Sequence, residues 1–249
     1  METINGNQSM SKVRKIYFMR LIGRIAIFLI CVYVYLFHKS EFLIVEKGKF
    51  FETFSLLHIL WGIWIWDMIL QLTPVRLHIS IGSQKIFQSL FRPIKEKINY
   101  KNLKKYIKDT TNSAYKVMII WLVMSAFLWI LYLWDKIDVK HLVLISTFFY
   151  VCDLVCVLIW CPFRLIMKNK CCTTCRIFNW DHLMMFSPLV FVNSLFARTL
   201  VTLSFIIWLV WEVCVFTYPE RFWENSNMAL RCSECSDKLC TQYCRKLRK

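Results

Sequence analysis

Residues 183–218 read LMMFSPLVFVNSLFARTLVTLSFIIWLVWEVCVFTY, and the number of times this stretch crosses a membrane decides the architecture. A spanning helix needs roughly 20 mostly apolar residues, because each adds about 1.5 Å across a hydrocarbon layer of about 30 Å. At 36 residues the stretch is long for one span and tight for two. Pro188, Asn193 and the run Ala197-Arg198-Thr199 interrupt it. The expectation is a helical hairpin, with a short helix over 183–197 and a second over 200–218.

Upstream, four further apolar blocks reach spanning length: 17–37, 53–72, 115–134 and 141–163. The chain of 249 residues is 57% hydrophobic and 19% charged, against about 45–50% apolar and about 25% charged in soluble domains. That composition excludes disorder, and 5 Gly with 5 Pro exclude a collagen-like chain. No internal repeat supports an inverted-repeat transporter. The fold class expected is all-α: an integral membrane bundle of about six helices over 1–218, with a small Cys-rich cytoplasmic cap. In that cap the 219–249 tail packs on the 164–182 loop.

Charge placement tests the span count. The net charge is +16, and cytoplasmic loops of membrane proteins collect Lys and Arg. Six spans put 26 of the 32 basic residues on one side, with both termini cytoplasmic in a cell (inner or plasma) membrane. Five spans would send a basic tail outside. The first block is read as an uncleaved helix, because no small-x-small cleavage pattern follows it.

Segment 92–108 interleaves Ile94, Ile98, Leu103, Tyr106 and Ile107 with six lysines. This pattern predicts a surface helix whose lysines meet anionic lipid headgroups, each worth about 1 kcal/mol. Nucleic acid is not expected, since no base-reading fold accompanies the charges. Trp61, Trp64, Trp66, Trp121, Trp129 and Trp134 are read as interfacial belts or helix packing.

Of 12 cysteines, Cys31, Cys152, Cys156, Cys161 and Cys214 fall in spans and read as small hydrophobes. The others form two clusters, Cys171-Cys172-Thr173-Thr174-Cys175 and Cys232-Ser233-Glu234-Cys235 followed by Cys240 and Cys244. Each contains C-x-x-C, a spacing that lets two thiolates grip one tetrahedral ion. The expected site is Cys172, Cys175, Cys232 and Cys235, with Cys171 and Cys240 as substitutes. Zinc in a structural or regulatory role fits best, and an iron–sulfur cluster or a dithiol couple is the redox alternative.

The run 161–163 (CPF) with 168–181 (KNKCCTTCRIFNWD), then Tyr218-Pro219-Glu220-Arg221-Phe222-Trp223 and Cys232-x-x-Cys235 with Lys238-Leu239-Cys240, resembles a family of uncharacterised bacterial Cys-rich multi-pass membrane proteins. The likeness covers roughly 145–240. It implies that both cysteine clusters belong to one design, and no activity comes with it.

Charges at bilayer depth cost about 2.5–3.5 kcal/mol on insertion scales, so each needs a partner or a purpose. Asp67, Asp153, Glu212, Arg20 and Arg24 stand out. Asp67 and Glu212 share the depth of Arg20 and Arg24 and read as ion-pair partners. Asp153 lies nearest the midplane with no evident basic partner, which makes it the candidate for a proton or cation path. Asn179 or Asp181 reads as the cap of the fifth helix, and Asp181 or His182 as a partner of a bound metal. No Ser-His-Asp order, phosphate loop, H-E-x-x-H or dinucleotide fingerprint points to an enzyme. Three readings stand: a thiolate metal protein, a transporter or channel using intramembrane acids, and a membrane redox component.

Overall fold

The computed structural model of the protein describes residues 12–46, 49–52, 54–73, 86–168, 175–231 and 233–234. Among the described residues the structure is helical apart from one isolated antiparallel bridge, Pro93 to Asn227. In chain order the α-helices are α1 (Lys12–Phe37), α2 (Leu56–Leu72), α3 (Tyr100–Leu133), α4 (Val139–Leu158), α5 (Arg164–Met167), α6 (Asp181–Phe186) and α7 (Leu195–Thr217).

Four of these, α1, α3, α4 and α7, are long and apolar enough to cross a membrane, not the six expected. Helix α2 occupies the second block but has 17 residues, about 25 Å at about 1.5 Å per residue. It starts late because Ser55 caps it: the Ser55 hydroxyl accepts from the Leu57 N–H, and the Ser55 N–H donates to the His58 ring. The remaining expected span, 183–197, is not one continuous helix.

Matched contacts show how the elements run. Helices α1 and α4 are antiparallel: Tyr35 meets His141 at one end, and Arg24 meets Asp153 further along. Helices α2 and α7 run alongside each other, with Trp61 donating to the Thr199 hydroxyl and Trp64 packed edge-on against Phe196. Chain 176–191 follows α3 in register. Arg176 reaches Thr111, Trp180 lies against Tyr115, Trp121 donates to the Met184 carbonyl, Ser125 meets Ser187, and Trp129 packs on Phe191. Positions 111 to 129 of α3 are separated by roughly 27 Å.

The fifth stretch therefore travels the bundle as a broken path. It comprises a 3-10 turn Arg176–Asn179, the six-residue α6, a 3-10 turn Ser187–Leu189 and a loop to Ser194. Pro188 has no N–H to give, so a regular helix cannot pass through it. Irregular backbone at membrane depth is tolerated only where protein encloses it, and Met184 through Leu189 are buried. Their polar groups are answered from α3. The Trp121 indole N–H donates to the Met184 carbonyl at 3.1 Å and to the Ser187 hydroxyl at 3.0 Å. The Trp129 indole N–H donates to the Ser187 carbonyl at 2.8 Å.

The expected hairpin tip at Ala197-Arg198-Thr199 lies inside α7 instead. Ser194 is the cap, accepting from the Ala197 N–H at 3.2 Å, and Thr199 donates back to the Leu195 carbonyl at 2.9 Å. The basic surface helix and the third span are likewise one element. Helix α3 runs 34 residues from an Asn99 cap that accepts from Lys101 and Asn102. It carries exposed Lys101, Lys104, Lys105 and Lys108 on its first turns.

Apolar side chains remain exposed along one side of α1 (Ile22, Leu29, Leu36) and of α3 (Ile119, Val123, Phe127). Rows of this kind suit contact with lipid. Helix α4 is the most enclosed of the four long helices. After α7 the chain folds back on the start of α3: Met228 donates its N–H to the Arg92 carbonyl at 2.9 Å, and Trp223 lies against Tyr106.

Candidate functional site

Two groups of charge lie between the helices, the first largely buried and the second fully so. The first is centred on Arg24, the thirteenth residue of the 26 in α1. Its Nη1 lies 2.7 Å from Asp153 Oδ2 and donates to the Tyr150 carbonyl at 2.7 Å. Its Nη2 is 3.6 Å from Asp67 Oδ2, and its carbon sits 3.8 Å above the Tyr150 ring centroid. Tyr150 donates its hydroxyl to Asp67 at 2.6 Å. One guanidinium thus serves two carboxylates on different helices, α2 and α4. Asp153, for which the sequence offered no cation, has Arg24. Arg20 lies one turn nearer the start of α1 and is half-buried.

Adjoining this group are Gln71, Asp181 and His182. Asp181 Oδ1 accepts from Gln71 Nε2 at 3.1 Å and from the His182 N–H at 2.7 Å, and lies 2.9 Å from His182 Nδ1. Asp181 is the first residue of α6 rather than its cap, and Trp180 holds the cap position without a side-chain bond. The fields of Asp67 and Asp153 reach His182. Gln71 is 2% exposed, and its Oε1 has no hydrogen-bond donor among the described residues.

The second group pairs Glu212 with Arg176, not with Arg20 or Arg24. Arg176 Nε lies 3.3 Å from Oε1 and Nη2 2.5 Å from Oε2, and Nη1 donates to the Thr111 hydroxyl. The Trp180 indole N–H adds 2.7 Å to Glu212 Oε1. Both ionic side chains are buried. Glu212 accepts three bonds and Arg176 donates three, which makes this a lock joining the 176–180 turn, α3 and α7. Its cation was missed in the sequence because Arg176 was assigned to a loop. The signal was present: a carboxylate within an apolar span calls for a cation at its own depth, and the start of the fifth stretch supplies one.

Beside the first group lies a cavity of about 250 Å³, lined by α3, α4, the 161–163 turn and the 175–185 path. Asp153 and Asp181 face it, together with Cys152, Cys156, Cys161 and Cys175. The thiols of Cys156 and Cys161 are hydrogen-bonded to each other. Three cysteines that the sequence suggested as packing therefore border a cavity. The readable signal was the spacing of Phe149, Cys152, Asp153 and Cys156, which puts all four on one face of α4.

Of the expected metal ligands, only Cys175 is among the described residues. Cys171, Cys172, Cys232, Cys235 and Cys240, and likewise Cys244, lie outside them. Among the described residues, no three His, Cys, Asp or Glu side chains gather as a metal site. Cys175 and Leu230 do line one small cavity with Arg176, so the first cluster and the start of the tail adjoin. His58 is taken up at the opposite end, where its Nε2 lies 2.7 Å from the Phe50 carbonyl. No known protein family, curated protein or solved structure matches the chain, so the resemblance over 145–240 rests on its own residues.

Proposed function

We propose that the chain is a multi-pass membrane protein of the transporter or channel class, with the group around Arg24 binding and releasing a proton or small cation. The observation that carries this reading is a surplus of negative charge in a buried place. Asp67, Asp153 and Asp181 are three carboxylates, and their ion pairs among the described residues are with two groups, Arg24 and His182. Isolated charge in a low-dielectric interior is costly, so the surplus is met by a proton or by a cation. The unpaired Gln71 Oε1 beside Asp181 is a further acceptor in search of a donor.

The test is flux. Purified protein in liposomes is expected to collapse an imposed proton or cation gradient, and Asp153→Asn, which keeps a hydrogen bond to Arg24, is expected to abolish it. Flux unchanged by Asp153→Asn, in a variant that melts like the parent, removes the proposal.

A second reading concerns the inner cap, and the adjacency of Cys175 and Leu230 favours it. Cys232 follows Leu230 by two residues in the chain, and in this reading thiolates of both clusters share one ion, zinc before an iron–sulfur cluster. Both termini are then cytoplasmic, with the lysines of early α3 against anionic headgroups. Elemental analysis discriminates: about one zinc per chain supports this reading, and iron with visible absorbance supports the redox form. Neither metal at stoichiometric level excludes both.

A further inference from the structure

We infer that the cavity beside Asp153 and Asp181 binds an amphipathic organic cation, a compact ammonium attached to an aromatic or short aliphatic group. This deepens the proposed function by naming a substrate class, and it rests on the same charge surplus.

The walls are apolar and aromatic. Trp121 and Phe149 stand with ring centroids 4.8 Å apart, Trp121 and Phe163 6.0 Å apart, and Phe178, Met124 and Met184 are part of the same lining. Such surfaces hold a hydrocarbon group, and ring faces attract a cation through their quadrupole. The ionic groups facing the cavity are both negative, Asp153 and Asp181, with 19% and 15% of their side-chain surface still accessible. Arg24 and His182 touch these carboxylates but do not line the cavity. An entering molecule therefore meets π faces, sulfur and carboxylate oxygens. An anion is repelled there, and a neutral apolar molecule leaves the charge surplus unmet.

Size narrows the class. The volume of about 250 Å³ is below the usual range of about 300–1,000 Å³ for drug-sized ligands. A single ring bearing one ammonium fits this space.

The probe is benzyltrimethylammonium, whose charge is permanent, compared with neopentylbenzene, which has a carbon in place of the nitrogen. Full-length protein in lipid nanodiscs is titrated calorimetrically with each. Saturable one-to-one binding of the cation is expected, at least about tenfold tighter than the neutral isostere. Asp181→Asn is expected to weaken the cation selectively. Met124→Trp and Cys152→Phe, which fill the cavity without touching a carboxylate, are expected to weaken both ligands.

Equal binding of the two ligands overturns the inference, as does no saturable binding to the unmodified protein or full affinity in the filled variants. The flux reading is judged separately. Cation binding without flux leaves the site and removes transport, whereas proton flux without cation binding leaves transport and removes this substrate class.

Discussion

At the residue scale, the two ionic groups differ in what they leave unmet. Arg176 and Glu212 are matched one to one and further bonded by Thr111 and Trp180, the pattern of a structural lock. Removing one partner of a buried pair typically costs about 3–5 kcal/mol, because the other charge is stranded. Glu212→Ala is therefore expected to lower the melting temperature sharply in detergent. Glu212→Gln, still able to accept from Trp180, is expected to fall between it and the parent, and equal melting of all three would show that the pair is not a lock.

Asp138, outside the spans, gives a pH prediction. Burial works against its ionised form, but hydrogen bonds and charge from His141, with Lys140 nearby, outweigh it and hold the carboxyl below the usual range. A folded-state value below the unfolded one contributes stability above the unfolded pKa of about 3.9, and that contribution fades as pH falls through the depressed value. Asp138→Ala also removes the cap of α4, a loss of about 1 kcal/mol. Thermal melts at pH 6 and pH 3 should show the gap between parent and Asp138→Ala closing at the lower pH; a gap that widens there contradicts the sign.

At the element scale, the broken path 176–194 depends on α3. Its carbonyls at Met184 and Ser187 are turned to the indoles of Trp121 and Trp129. Trp129→Phe keeps the ring and its packing on Phe191 but strands the Ser187 carbonyl, a cost of about 1–3 kcal/mol for a buried acceptor. Denaturation of Trp129→Phe against the parent measures it, and no loss would mean that another donor serves that carbonyl. The tryptophans of α3 were read in the sequence as belts or packing. Their hydrogen-bonding role was illegible because nothing local shows which carbonyls lie opposite. Helix α3 itself was half legible: its basic start and apolar end were both visible, but their continuity was not. The polar run Lys108 to Ser113 looks like a linker until Thr111 is seen bonded to the Ile107 carbonyl and to Arg176.

At the scale of the whole molecule, four helices have spanning length among the described residues, and their contacts bring the start of α1 to the end of α4 and the start of α3 to the end of α7. The ends therefore sort into two sets. One holds the start of α1, the 86–99 segment and 218–231, and the other holds 38–55, 134–138 and 190–194. Single-cysteine labelling with an impermeant reagent, in a background with the accessible native cysteines replaced, should find Lys136 and Asn193 on one face. It should find Lys97 and Asn225 on the other. Labelling of Asn193 and Asn225 from the same face would refute this arrangement.

Composition and block length alone determined that the protein is helical and apolar enough for a membrane, because the hydrophobic effect acts on each block wherever it packs. Asp67, Asp153 and Glu212 were likewise conspicuous unaided, since a carboxylate among apolar residues is costly in any fold. Tertiary structure decided the partners: Arg24 shared between two acids, Arg176 reaching Glu212, and a sulfur-lined cavity against Asp153. It also decided that 183–197 is an enclosed path and not a span. Those outcomes depend on which elements meet at one depth, and contacts across 30 or more residues leave no local trace in the order of amino acids.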